Sequence, residues 1–137
     1  MPLFGAPPIN AVYHHLAGNG AALPGILLAV TIGGGFGEET FYRGYLFERL
    51  RRLFGNSPRA KVAAVVLTAA LFAAAHYHDQ GVPGVQQAAV TGLVFGTTFV
   101  AAGRIWLPMI AHAAFDVAAV ALIHFDVESA VAHFVFS

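Results

Sequence analysis

Four apolar segments, each close to the length of a membrane-spanning helix, constrain this chain more than any other feature of its sequence. They cover residues 22–46, 61–78, 85–103 and 105–125. About 20 apolar residues in helical form cross the roughly 30 Å hydrocarbon core of a bilayer. Alanine is abundant in these segments, and the alternation that marks a half-buried strand is absent. The sequence therefore predicts an all-α, polytopic membrane helix bundle with about four transmembrane helices.

The composition agrees with lipid as the main solvent and partner of this integral, multi-pass protein. The chain is 58% hydrophobic and 10% charged, whereas soluble domains carry about 25% charged residues. Its formal net charge is zero, which gives no basis for nucleic acid as a partner. The absence of cysteine excludes disulfides, thiolate nucleophiles and cysteine-ligated metal sites.

The short polar stretches between the apolar segments divide the chain and predict its orientation in the membrane. Residues 1–21 form a Pro/Gly-rich lead-in without the pattern of a signal peptide, 22–125 form the core, and 126–137 form a C-terminal tail. Basic residues concentrate in two linkers: Arg49, Arg51, Arg52, Arg59 and Lys61 in the first, and Arg104 in the second. The positive-inside rule places these linkers in the cytoplasm and both termini on the non-cytoplasmic side.

Several ionisable side chains nevertheless fall inside the apolar segments. They are Glu38, Glu39, Arg43, His76, His112 and Asp116. Each ionisable residue in a bilayer costs roughly 2.5–3.5 kcal/mol on insertion scales. These residues must therefore either neutralise one another for assembly or build a functional site.

Helical spacing assigns different parts to these side chains. Glu39 and Arg43 are four residues apart, which predicts a salt bridge along one helix face. Glu38 is rotated by about 100° from Glu39, so we expect a free carboxylate, which is a candidate general base. His112 and Asp116 are also four residues apart, so Asp116 can orient His112 or join it around a metal or a reacting oxygen.

The depths of three of these groups predict that they meet. Counted from the basic linkers, Glu38, His76 and His112 lie roughly 16, 22 and 12 Å into the membrane. Three helices thus bring a carboxylate and two imidazoles to similar heights, and we expect a shared pocket. Small-residue spacing at Gly33 and Gly37, and again at Gly92 and Gly96, predicts close helix packing.

Three motifs in this order resemble those of the CPBP family of intramembrane proteases, which includes the type II CAAX prenyl endopeptidases and bacteriocin-processing relatives. EETFYRG is similar to the motif E-E-x-x-x-R. LFAAAH is similar to F-x-x-x-H through Phe72 and His76, and HAAFD to H-x-x-x-[N/D] through His112 and Asp116. The resemblance covers roughly residues 22–125.

The resemblance implies a membrane-embedded endopeptidase that acts on a peptide or membrane-protein substrate, prenylated or carrying a leader sequence. Glu38 would activate a water molecule, supported by Glu39, which Arg43 would hold. His76 and His112 would ligate a divalent metal, zinc by expectation, or polarise the scissile carbonyl.

Asp116 stands where the family often has Asn. An ionised Asp accepts hydrogen bonds but cannot donate one to an oxyanion. This difference favours ligation of the metal together with His76 and His112, or orientation of His112.

Two other classes of function stay open at this point. The first is a non-catalytic membrane interaction or immunity protein that keeps the motifs as a polar assembly core. The second is a protein that relays protons or ions through its Glu and His residues. The complete motif set favours the protease, because an assembly core needs no spare carboxylate beside two imidazoles.

Overall fold

The computed structural model describes residues 8–136, and the predicted lead-in therefore lies outside the described residues as far as position 7, as does Ser137 of the tail. Within 8–136 the chain is helical and contains no strand. A 3₁₀ turn, His14–Leu16, comes first. The first apolar segment contains α1, Leu23–Leu28, followed by two π-helical stretches at Ala29–Glu38 and Thr40–Leu46. The remaining helices are α2 Phe47–Phe54, α3 Pro58–Ala75, α4 Tyr77–Ala102, α5 Trp106–His124 and α6 Glu128–Phe136. The predicted all-α class is confirmed.

The bundle has the dimensions and surface of a membrane protein. Among the described residues, three helices are long and apolar enough to cross a bilayer, namely α3, α4 and α5. The first predicted segment is helical too, but it is divided between α-helical and π-helical stretches. Large apolar side chains such as Leu28, Ile32, Val62 and Val66 are exposed on the outside of the bundle. Such a surface suits lipid and not water, and the chain is a helical membrane bundle.

Local signals set the ends of the helices near the basic linkers. α3 starts behind Ser57, whose side chain accepts a hydrogen bond from the N–H of Ala60 at 3.2 Å, and Pro58 occupies its first turn. This is a common N-cap arrangement. α2 and α4 end at Gly55 and Gly103, with φ of 84° and 65°, values that glycine adopts without a steric cost.

The predicted linker between the second and third segments is different in the structure. All of HDQGVPG belongs to α4, and the helix is interrupted at Gly81, where φ is 61° and ψ is −157°. Glycine permits this backbone conformation. The break at Gly81 also removes the helical turn with which the ring of Pro83 would otherwise clash. The interruption allows residues on both sides of Gly81 to face one pocket.

Two close contacts between helices depend on glycine, and the sequence predicted one of them correctly. Gly92 and Gly96 of α4 lie against α3, and a Cβ at either position would come within 3.2 Å of it. Gly33 and Gly37 make no such contact with another helix, so that prediction was wrong. The close approach is made by Gly35, where a Cβ would lie 2.6 Å from the Cβ of Ala113. The wider π-helical turn changes which residues share a face.

The first and last segments of the described range meet at one end of the bundle. Leu16 of the lead-in is buried, with 2% of its surface exposed. The backbone N–H of Gly18 donates to the carbonyl of His124 at 2.9 Å, and that of Asn10 donates to Glu128 Oε1 at 3.0 Å. The side of the membrane on which the termini lie stays a prediction.

Candidate active site

A pocket of about 280 Å³ gathers the side chains that the sequence placed at similar depths. Glu38 reaches it from the π-helical segment, His76 from the end of α3, and His112 and Asp116 from α5. The predicted convergence is therefore present in the structure. It depends on the crossing of the π-helical segment over α5, where Gly35 allows the two backbones to approach.

The Glu39–Arg43 ion pair forms the base of the site. Arg43 Nη1 donates to Glu39 Oε1 at 2.6 Å, and both side chains have 0% exposure. Arg43 Nη2 donates to the carbonyl of Gly92 on α4 at 2.9 Å, and the guanidinium lies 5.0 Å from the ring centroid of Phe72. The predicted salt bridge is confirmed, and it also connects the first segment to α3 and α4.

Glu39 is the residue that orients His112. The distance from His112 Nδ1 to Glu39 Oε1 is 2.9 Å, whereas His112 Nε2 lies 3.5 Å from Asp116 Oδ2. We expected Asp116 to set the tautomer of His112; the shorter contact assigns this part to Glu39. A carboxylate acceptor at Nδ1 requires a proton on that nitrogen, so Nε2 faces the pocket.

His76 is fixed in a similar way, but by the backbone. Its Nδ1 lies 2.8 Å from the carbonyl oxygen of Phe72 in the preceding turn. Because a carbonyl can only accept, Nδ1 carries the proton, and the Nε2 of the neutral ring keeps its lone pair. Its ring also packs on Phe72, with centroids 4.5 Å apart. Both imidazoles are therefore held at Nδ1, which leaves Nε2 for chemistry.

Glu38 contrasts with its neighbour Glu39. Its side chain is 37% exposed, and among residues 8–136 its carboxylate makes no hydrogen bond within the protein. Its Oε2 lies 3.9 Å from His112 Nε2. This is the free carboxylate that helical rotation predicted, and it lines the same pocket as the two imidazoles.

The donor atoms suit a metal chemically, but they do not form a compact metal site. Imidazole nitrogens held at Nδ1 and a nearby carboxylate are typical zinc ligands. In the part of the chain that the structure describes, however, no group of three or more His, Asp or Glu side chains could hold a metal ion. The metal set His76, His112 and Asp116 stays a prediction.

Four further polar residues line the pocket and were missed in the sequence. Asn10 and Tyr13 come from the lead-in, and Gln80 and Gln87 from either side of the break in α4. The lead-in carries no motif that would have identified the first two. Gln87 had a usable signal, since a glutamine inside an apolar helix is expensive to leave without a partner.

An apolar groove of about 340 Å³ adjoins this pocket. The two cavities share Asn10, Gln80 and Gln87, so neutral amides lie at the boundary between them. Beyond the boundary the groove is lined mainly by apolar side chains, including Ile9 and Leu122. The site thus combines an acid and imidazole compartment with an apolar one.

Comparison with known proteins agrees with this site. The sequence profile of the family described as "Type II CAAX prenyl endopeptidase Rce1-like" matches residues 20–118. That range contains both glutamates, the arginine, both histidines and the aspartate described above. No curated protein and no solved structure matches the chain significantly.

Proposed function

The chain belongs to the type II CAAX prenyl endopeptidase Rce1-like family, and on this premise we propose that it hydrolyses a peptide bond by means of a water molecule that Glu38 activates. The family supports a protease in general terms. The observation that carries the finer proposal is the contrast between Glu38, a carboxylate without a hydrogen bond in the described residues, and Glu39, which is buried and fully engaged.

In the proposed reaction, Glu38 takes a proton from water while the oxygen attacks the scissile carbonyl carbon. The C–N bond then breaks, and the proton passes from Glu38 to the leaving amine. One carboxylate thus serves as base and then as acid, as in other hydrolases with a partly buried glutamate. The lone pair of His76 Nε2 supports the first step, because it can accept a hydrogen bond from the same water.

His112 is the candidate for stabilising the oxyanion. With Nδ1 hydrogen-bonded to Glu39, a second proton on Nε2 would make the ring a cationic donor that faces the pocket. Asp116 Oδ2 lies 3.5 Å from this nitrogen and could pair with the cationic ring, which is a role that an accepting carboxylate can fill. Preorganised donors of this kind usually contribute the largest single catalytic effect.

The cavities fit a substrate with an apolar part next to the bond that is cleaved. The adjoining groove would hold the apolar part, such as the prenyl chain named in the description of the family, or an apolar peptide side chain. The amides of Gln80 and Gln87 would hydrogen-bond the peptide groups between the two compartments. A peptide backbone needs such partners, because unpaired amides are costly away from water.

A divalent metal at His76, His112 and Asp116 is the second proposal for how the water is activated. It is supported by the residue types, because imidazole nitrogens and a carboxylate are typical zinc ligands and all three side chains line the pocket. Metal analysis of the purified protein, combined with chelator treatment during the assay, distinguishes activation of the water by Glu38 alone from activation by a metal. Activity that survives complete metal removal would exclude the metal.

The proposed function is tested with His76→Ala and His112→Ala in purified protein reconstituted into lipid nanodiscs. Cleavage of a prenylated peptide is followed by mass spectrometry. We expect both variants to lose cleavage and to keep a helical fold by circular dichroism. His133→Ala, an exposed histidine on α6, is the matched control and should remain active. Cleavage at the normal rate by both site variants would disprove the proposal.

A further inference from the structure

A second polar pocket, of about 500 Å³, adjoins Arg43 and shares no lining residue with the candidate active site. It lies where α2, the start of α3, the end of α4 and the start of α5 meet, near the basic linkers. Its polar lining consists of Arg43, Glu48, Arg51, Asn56 and Lys61. We refer to it below as the basic-side pocket.

The basic-side pocket has more cationic hydrogen-bond donors than the carboxylate of Glu48 binds. Glu48 is the carboxylate in its lining, and it already accepts hydrogen bonds from Arg51 at 2.7 Å and from Arg52 at 2.9 Å. Lys61 is half-buried and makes no ion pair among the described residues. Arg43 has 0% exposure, yet its Nε has no hydrogen-bond partner in the structure. Buried donors without a partner are uncommon and indicate a missing one.

The start of α5 adds a further positive element. Ile105 lines the pocket at the N-cap position of this helix, and no side chain caps the helix there. The first N–H groups of the helix therefore lack intrahelical acceptors, and the helix dipole places partial positive charge at this end. Together with the half-buried Lys61, which makes no ion pair among the described residues, and the Nε of Arg43, the one guanidinium nitrogen that Glu39 and Gly92 leave without a partner there, this is an arrangement that binds anions.

We infer that the basic-side pocket binds the phosphate headgroup of an anionic phospholipid. The pocket lies at the end of the bundle that carries the basic linkers, where headgroups surround an integral membrane protein. Its apolar walls, formed by Phe47, Phe99 and Val100, suit the glycerol and the first carbons of the acyl chains. A soluble anion would leave these walls uncovered.

The inference is tested by the lipid preference of two matched variants. Lys61→Gln removes a positive charge inside the basic-side pocket, and Arg59→Gln removes one from an exposed position in the same turn of α3, outside the pocket. Each protein is placed in nanodiscs of phosphatidylcholine, with and without phosphatidylglycerol. Retained lipid is counted by native mass spectrometry, and the thermal unfolding midpoint is measured.

We expect phosphatidylglycerol to be retained by the wild type and to raise its unfolding midpoint. Lys61→Gln should weaken retention about tenfold, as expected for the loss of one charge-assisted hydrogen bond. Arg59→Gln should behave like the wild type, and Lys61→Arg should restore most of the retention.

Four results would overturn the inference. An equal loss of retained lipid in Lys61→Gln and Arg59→Gln would indicate general surface electrostatics. Full retention of the lipid by Lys61→Gln would show that the pocket does not bind it. The same midpoint rise with inorganic phosphate in phosphatidylcholine alone would identify a site for soluble anions. Displacement of the lipid by a peptide with a free carboxylate would assign the pocket to the substrate. None of these measurements depends on peptide cleavage, so they are independent of the proposed function.

Discussion

The candidate active site and the basic-side pocket flank the same buried ion pair, Glu39–Arg43, but they have opposite charge and a different origin. In the active site, acidic and imidazole groups come from the π-helical segment, the end of α3 and the interior of α5, and meet where two helices cross. In the basic-side pocket, cationic groups come mostly from helix ends and the linker at the membrane face. A charge inside the bilayer requires a partner or a function, whereas a charge at the interface is solvated by headgroups and water. The ion pair separates the two environments.

The largest expected effect is on the active-site side of this comparison. Glu38→Gln keeps the shape of the side chain but removes the base, so we expect peptide cleavage to fall by roughly 10²–10⁴-fold. Stability should change little, because Glu38 makes no hydrogen bond with the described residues. Glu48→Gln is the matched control, since it makes the same change in the basic-side pocket and should leave cleavage intact. Similar cleavage rates in Glu38→Gln and Glu48→Gln would show that the two pockets do not differ in their importance for cleavage.

The next effect concerns the ion pair itself. Arg43→Leu leaves Glu39 as a buried carboxylate without its partner, which should cost on the order of 3–5 kcal/mol of unfolding free energy. The double variant Glu39→Leu/Arg43→Leu removes both charges and should recover most of this loss, because apolar pairs of similar volume often replace buried ion pairs without cost. Equilibrium unfolding in detergent micelles measures both. A double variant less stable than Arg43→Leu would show that the pair does more than neutralise charge.

The sequence predicted the parts of the site that follow from spacing along one helix. The Glu39–Arg43 pair, the free position of Glu38 and the common depth of His76 and His112 all follow from the helical repeat. The helices themselves also follow from apolar length. These features are local, so no knowledge of the packing is needed to see them.

What the sequence did not predict depends on how helices cross. The contact between Glu39 and His112 joins residues that are 73 positions apart, and spacing along α5 favoured Asp116 instead. The π-helical turn was not visible either, and it moved the close contact from Gly33 and Gly37 to Gly35. The basic-side pocket brings together residues from several elements, and apart from Arg43 and Gly44 none of them belongs to a motif.

The third effect tests the crossing that builds the active site. Gly35→Ala introduces a Cβ that would lie 2.6 Å from the Cβ of Ala113 and 2.9 Å from its backbone. The two helices must separate, and we expect a loss of about 1–3 kcal/mol in unfolding free energy together with reduced cleavage. Gly33→Ala is the matched control, because no atom lies within 4 Å of the added Cβ. Alanine also favours helix over glycine, so this control should be neutral or slightly stabilising. Equal losses would disprove the crossing contact.

The smallest effect is the pH dependence of the basic-side pocket. Hydrogen bonds from Arg51, and then from Arg52, lower the pKa of Glu48 from 4.5 to about 2. Because the folded-state pKa is depressed, the stabilisation is complete above pH 4.5 and is lost as the pH falls through about 2. Glu48 is exposed and its ion pairs are screened by water, so the difference in unfolding midpoint between the wild type and Glu48→Gln should be small and should vanish across this range. Taking the difference cancels the titration of the carboxylates that both proteins share.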